Sequence, residues 1–367
     1  YEEQGFHRTG TAVDRASAEW LAGAVRQIGL EPMLEEFSLR RVDPLEASLT
    51  VNGRRIEGLP LFDGGFSDAA GIEGALGNLD SSAPIGLCEV APNAAGDGAL
   101  GEARRQNRHR AIVVVTRGLR PGFCPSNADN FVRPFGPPAL QVASEEAAFL
   151  AECARQGAKA RLTAHVERKT ASAANVVATI SGTSPGLTPL VVMTPRSGWW
   201  WCASERGGGL VCWLEIMRAL RAAKPARDVL FVASSGHELG HLGLDDFMER
   251  RPQLVSTAKA WIHLGANIGA AQGPGNILQA SDDMLEAMMA DAMMKIGLRI
   301  DRRHPRGTAP RGEVENVHRG GGRYVSIIGS NDLFHNTSDR GPDTVDLRAI
   351  ERFADAFARV ATSLAGD

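Results

Sequence analysis

The sequence predicts an α/β protein: a mostly parallel sheet covered by helices on both faces, with a smaller, mostly β insertion near its start. Three observations predict it. From about Asn175 onward, short apolar strands alternate with helix-length segments, the pattern of strand–helix crossovers. Between roughly residues 48 and 170 the texture differs, with short β-type runs separated by Gly/Pro-rich turns. At 367 residues the chain is also long for one domain, so two units are expected: 1–47 joined with 171–367, and the inserted 48–170.

Ala16–Leu30 spaces its apolar residues at helical intervals and meets a stop at Gly29. Within the insertion, Ser48–Val51 and Ala111–Thr116 read as strands, Ser144–Gly157 as a helix and Ala160–Val166 as a strand. Val176–Ile180 and Leu190–Met193 then read as strands, Leu210–Ala222 as a helix and Val229–Ala233 as a buried strand. A helix follows Leu239, then a strand at Ala260–Leu264 and helices at Asp282–Ile296 and Asp346–Leu364. Ligands of such sheets bind beyond the carboxyl ends of the strands, which directs attention to the segments after Met193, Ala233 and Leu264.

The net charge of -3 gives no reason to expect nucleic acid or an anionic membrane as partner. No apolar run approaches the ~20 residues that cross a bilayer. The five cysteines, Cys88, Cys124, Cys153, Cys202 and Cys212, are odd in number and show no CxxC spacing. Reduced thiols in the cytoplasm are the simplest reading, with an exported, processed precursor as the alternative.

Three segments carry polar residues at the expected places: Pro195–Gly209 (PRSGWWWCASERGGG), Arg227–Gly243 (RDVLFVASSGHELGHLG) and Phe334–Val345 (FHNTSDRGPDTV). His237–His241 also spells HExxH, which on a helix would set two zinc-binding His on one face. Here it opens directly after a strand and contains Gly240, which argues against that reading.

Taken in order, with Asn175–Ile180 and Val191–Met193 before them and His7–Thr11 at the start, these segments resemble the M28 family of co-catalytic zinc aminopeptidases. The resemblance implies a phosphorylase/hydrolase-like mixed sheet flanked by helices and a protease-associated-like inserted domain. It places the family's first metal-binding His on Pro195 and the Asp that orients it on Ser197. The bridging Asp falls on Glu205, with Ser204 as the neighbouring choice. Of the family's Glu pair, the general base falls on His237 and the metal ligand on Glu238. A late Asp ligand falls on Gly265, and the last His is retained as His335. Pro and Gly have no side-chain donor, so one metal has lost its ligands. Glu205, Glu238 and His335 remain for the other. The expected cofactor is therefore at most one divalent ion, zinc first, with iron or manganese as alternatives and none at all equally arguable.

Three functions follow. The first is a hydrolase acting on an amide or related bond with His237 and Glu238 at a single metal. The second is a metal-free enzyme with His237 as base and Ser197 or Cys202 as nucleophile. The third is a non-catalytic ligand-binding relative. The substrate is expected to be a small molecule or peptide-like, and Arg196 and Arg206 suggest that it bears a carboxylate. Trp199, Trp200 and Trp201 cannot all point inward, so at least one lines the pocket or meets another chain, which leaves a homo-oligomer open. His263 shares a strand face with Gly265 and is read as a pocket residue, the alternative being a buried His satisfied by a backbone partner. Arg104–Arg110 and Asp301–Arg311 read as solvated loops.

Overall fold

Successive residues of a strand point to opposite faces, so strands apolar at every position need a cover on both sides. The computed structural model, which describes residues 1–92, 94 and 96–366, supplies both covers. In chain order the first half contains α1 (Ala12–Ile28), β1 (Met33–Val51), β2 (Arg54–Glu57), β3 (Leu59–Pro60), β4 (Ile72–Asn78) and β5 (Ile85–Val90). It continues with α2 (Gly98–Gln106), β6 (Ala111–Thr116), β7 (Ala139–Val142), α3 (Ala147–Arg155) and β8 (Lys159–Ile180). The second half contains β9 (Leu190–Pro195), α4 (Ala203–Ala223), β10 (Val229–Ser234), α5 (Leu242–Glu249), α6 (Leu254–Thr257) and β11 (Ala260–Leu264). It closes with β12 (Gly275–Ala280), α7 (Asp283–Lys295), β13 (Arg302–Arg303), α8 (Val314–Arg319), β14 (Tyr324–Ser330) and α9 (Leu347–Gly366).

The main sheet runs β13-β12-β14-β11-β9-β10-β8. β14, β11, β9 and β10 are parallel, while β8 and β12 pair antiparallel at either side, so the sheet is mixed. On one face Val176, Ala178, Val192 and Phe231 pack with α1, α4, α7 and α9 through Leu21, Trp213, Met289 and Phe357. On the other, Val177, Val191, Met193 and Trp261 pack with α5, α6 and α8 through Phe247, Leu254 and Val317. The expected mixed sheet flanked by helices is what the structure holds.

A second layer forms around β4, β5, β6 and β7, with α3 on one side and α2 on the other. It is tied to the main sheet by one ribbon: β1 and β8 pair from Met33↔Val177 to Val51↔Ala160, interrupted by a register shift between Pro44 and Glu46. The sequence separates Ala160–Val166 from Val176–Ile180, but β8 runs through both. Its middle, from Glu167 to Ser172, is largely solvated, so the period-two signal fades there although the strand continues.

Two helix starts also differ. α1 begins at Ala12 rather than Ala16 because Thr11 caps it, its Oγ1 accepting from Asp14 N at 3.2 Å. α4 begins at Ala203, ahead of the expected Leu210, and incorporates three glycines that discount helix in a propensity reading.

Trp213 on α4 is fully buried, meets Phe231 edge-on at 5.6 Å and donates its indole N–H to Val192 O at 3.2 Å. Trp213→Ala is expected to cost about 3–5 kcal/mol, read as a lower urea midpoint with an unchanged slope.

Candidate functional site

β9, β10 and β11 end side by side, and the segments that leave them gather the polar residues. The first turn of α4 carries Glu205 and Arg206 and is seated hard against its neighbours. A Cβ on Gly208 would lie 1.8 Å from Ile268 O, and one on Gly209 would lie 2.8 Å from Thr194 Oγ1. Only glycine permits that approach. The free N–H groups of this turn are taken by Asp339, whose carboxylate accepts from Ser204 N at 2.9 Å and Glu205 N at 3.0 Å. After β10, Ser235–Gly240 turns sharply and brings His237 and Glu238 inward. Cys202, His241 and His335 sit at φ of 51°, 67° and 58°, so three non-glycine residues around this pocket hold the left-handed region.

At its centre, Glu205 Oε1 lies 2.8 Å from Arg206 Nη2 and 3.6 Å from His335 Nε2. Burial opposes ionisation of Glu205, but Arg206, aided by His335 and His237, holds its carboxyl below the usual range. Arg206 Nε donates to Ser197 O at 2.7 Å. His335 Nδ1 is 2.7 Å from Pro125 O, a contact that fixes the ring. His237 Nδ1 is 3.5 Å from Glu313 Oε1, and its ring stacks on His241 with centroids 5.0 Å apart. Burial, and then Arg206, pushes His237 well below the ordinary imidazole value; burial likewise lowers His335.

Glu238 is engaged elsewhere. Its Oε1 accepts from Thr9 N at 2.7 Å and its Oε2 from Ser197 Oγ at 2.7 Å. Ser197 Oγ in turn accepts from Gly236 N at 2.8 Å and His237 N at 3.2 Å. Burial raises Glu238, with the Ser197 and Thr9 hydrogen bonds pulling the other way.

The remaining expected residues are divided. Arg196, expected at the substrate, is instead enclosed: it pairs with Asp14 at 2.9 Å and donates to Asp14 O and Ala174 O. A fully buried guanidinium needs such partners, and these hold it in the scaffold. Trp199 is buried against Phe62 and donates to Asn127 Oδ1 at 3.1 Å. Trp200 donates to His335 O at 2.9 Å, and with Trp201 it meets the exposed Phe6, so these two reach the surface beside the pocket. His263 Nδ1 is 2.8 Å from Ser326 Oγ, while its Nε2 has no partner in the protein. Cys202 is buried, and burial raises its thiol well above the ordinary value, which disfavours the thiolate a nucleophile requires. The HExxH residues do not share a helix. His237 lies in a short 3-10 turn, and His241 stands left-handed at the cap of α5.

Sequence reasoning missed Glu313, which accepts from Ser234 Oγ at 2.6 and 2.7 Å and faces His237. It follows a Gly/Arg-rich loop that reads as solvated, so no local signal marked it. The segment 121–129 was missed too: Pro125, Asn127 and Ala128 hydrogen-bond to His335, Trp199 and Glu238 across the pocket.

The ligand set expected for a surviving metal does not assemble. Glu205 and His335 meet, but both oxygens of Glu238 are committed to Ser197 and Thr9. Among the described residues no group of three or more His, Cys, Asp or Glu is placed to hold an ion. The residues present do not fit a metal in this arrangement.

No protein-family profile matches the chain, and no curated protein matches it in sequence. Solved structures do match in fold. BSAP, a zinc aminopeptidase from Bacillus subtilis, aligns with a TM-score of 0.78 at 16% identity over 99% of this chain and 91% of its own. An aminopeptidase from Aneurinibacillus sp. strain AM-1 gives 0.76 at 15% over 98% and 90%. A peptidase M28 precursor from Shewanella amazonensis SB2B gives 0.74 at 14% over 100% and 91%. At such identities the likeness is one of fold.

Two measurements check the assignments above. Asp14→Ala leaves Arg196 buried without its counter-charge, with only the two carbonyl acceptors, and is expected to lower stability by about 3–5 kcal/mol in chemical denaturation. Iodoacetamide, with labelled sites mapped by mass spectrometry, should leave Cys202 unmodified in the folded protein and modify it after denaturation; fast labelling of the native thiol would contradict its burial.

Proposed function

We propose that the chain is a divergent, peptidase-like hydrolase that acts on an amide or related bond of a small, peptide-like, carboxylate-bearing substrate without a two-metal centre. One observation carries the reading. Apart from the Glu205–Arg206 ion pair, five buried polar atoms on five residues at the strand ends have no hydrogen-bond partner in the protein: Glu205 Oε2, Arg206 Nη1, His237 Nδ1, His263 Nε2 and His335 Nε2. Unpaired buried polar atoms are costly in a folded chain, and a cluster of them marks a place kept for a ligand. Zinc aminopeptidases share the whole fold, which supports peptide-like chemistry at this location.

The roles follow from the geometry. Arg206 offers Nη1, the terminal nitrogen not engaged with Glu205, to a substrate carboxylate or to the oxyanion formed at a carbonyl. His237, kept neutral by burial, takes the proton of an attacking water and returns it to the leaving amine as the C–N bond breaks. Glu313 lies 3.5 Å from its Nδ1, close enough to favour the imidazolium formed when the proton is taken. His237 is also the least enclosed of the central side chains, at 8% exposure against 1% for Glu205 and Arg206. Ser197 and Cys202 are poor nucleophiles, the first being tied to Glu238 and the second protonated. We read residues 48–170 as a protease-associated-like insertion, with its 121–129 segment closing over the substrate. That closure supports a second reading, a binding protein without turnover.

The test is hydrolysis of a panel of dipeptides and acylated amino acids, followed by mass spectrometry. Cleavage is expected to fall by roughly 10²–10⁴-fold in His237→Ala. Binding of the same compounds without cleavage selects the second reading, and neither binding nor cleavage overturns both.

A further inference from the structure

One cation stands in the middle of the pocket, and it is an amino-acid side chain. Arg206 is buried, is clamped through Nε on Ser197 O at 2.7 Å, and reaches Glu205 Oε1 with Nη2 at 2.8 Å. On the other side of Glu205 stands His335. Its Nδ1 is 2.7 Å from Pro125 O, which only accepts, so Nδ1 carries the proton and Nε2 presents a lone pair. That lone pair lies 3.6 Å from Glu205 Oε1 and has no hydrogen-bond partner in the protein, while Glu205 Oε1 already meets Arg206 Nη2. Two acceptors so placed need a cation beside them. They also have the spacing of neighbouring donors on a tetrahedral ion, roughly 3.4 Å for bonds of about 2.1 Å.

The other ligand positions have been closed to an ion. Glu238 is held by Thr9 N and Ser197 Oγ. At Gly265 a Cβ would come within 2.5 Å of Ile328 Cγ1 and 2.8 Å of Ile327 O, so a carboxylate does not fit there without displacing the end of β14. Pro195 has no donor.

We propose that the Arg206 guanidinium supplies to Glu205 the positive charge that a metal ion would bring, so that the cluster is metal-independent. The arrangement keeps one positive charge facing the Glu205 carboxylate. It also leaves Nη1 to a carboxylate or a carbonyl oxygen of a ligand. It holds whether or not the pocket turns a substrate over, so its test is independent of activity.

The experiment measures metal content by elemental analysis after dialysis against zinc, together with thermal unfolding with added zinc or chelator. It is run on the full chain and on Arg206→Ala, Arg206→Lys and the Glu205→Ala/Arg206→Ala double variant. The wild type and Arg206→Lys are expected to carry less than about a tenth of an ion per chain, with a Tm that ignores both zinc and chelator. Arg206→Ala, which leaves the buried Glu205 carboxylate without its cation, should unfold at lower temperature than the wild type, and the double variant should recover part of that loss. Near-stoichiometric zinc in the wild type, with a Tm that falls under chelator, would overturn the proposal. So would a folded Arg206→Ala as stable as the wild type. If Arg206→Ala does not fold, the wild type and Arg206→Lys decide on the same criterion.

Discussion

β9, β10 and β11 are apolar almost from end to end because helices cover both faces of the sheet they form. Within such strands an unpaired polar side chain would have to be buried, at a cost of several kcal/mol. The polar residues are therefore driven to the strand ends, where the chain leaves the sheet and can arrange partners for them. Pro195–Ser197, Ser234–Glu238 and the first turn of α4 all lie where three parallel strands stop together. The site is a consequence of the covered sheet, and its location needs no other cause.

That same logic explains how much was legible beforehand. Ala111–Thr116 and Ala260–Leu264 stand out because a buried strand is a short apolar run, and both match β6 and β11 residue for residue. The region of the site was legible for the same reason, since it lies off those runs. What was not legible was who pairs with whom. Arg196 and Arg206 lie ten residues apart and read alike, yet one meets Asp14 from α1 and the other meets Glu205. Asp14 lies 182 positions upstream of Arg196, a pairing that no local pattern reports. Glu313 approaches His237 from α8 in the same way. Glu238 is expected from the sequence as a metal ligand, but its commitment to Thr9 and Ser197 depends on how the N-terminal segment folds back.

The inserted layer contributes through its placement. The β1/β8 ribbon fixes it to the main sheet over the length of both strands, and the 121–129 segment then lies across the pocket. Its hydrogen bonds to His335 and Trp199 set the tautomer of the first and the rotamer of the second. The buried polar cluster is thus built jointly by the main sheet and the second layer, although only the former carries the charged groups at its centre.

Those charged groups are a poor investment for stability alone. A buried ion pair such as Glu205–Arg206 recovers little more than its own desolvation, and apolar residues of similar volume commonly do as well or better. The fold has ample apolar packing on both faces of the sheet and no need of the pair to hold α4, whose first turn is already seated by Asp339 and its glycines. Nor are the groups arranged for mutual satisfaction, as in Arg196–Asp14, where the guanidinium also donates to two carbonyls. At Glu205 and Arg206, beyond the Oε1–Nη2 contact, the second carboxylate oxygen and the second terminal nitrogen stay without hydrogen bonds. A pair that is costly to bury, unnecessary to the scaffold and incompletely satisfied is what the proposed binding role requires.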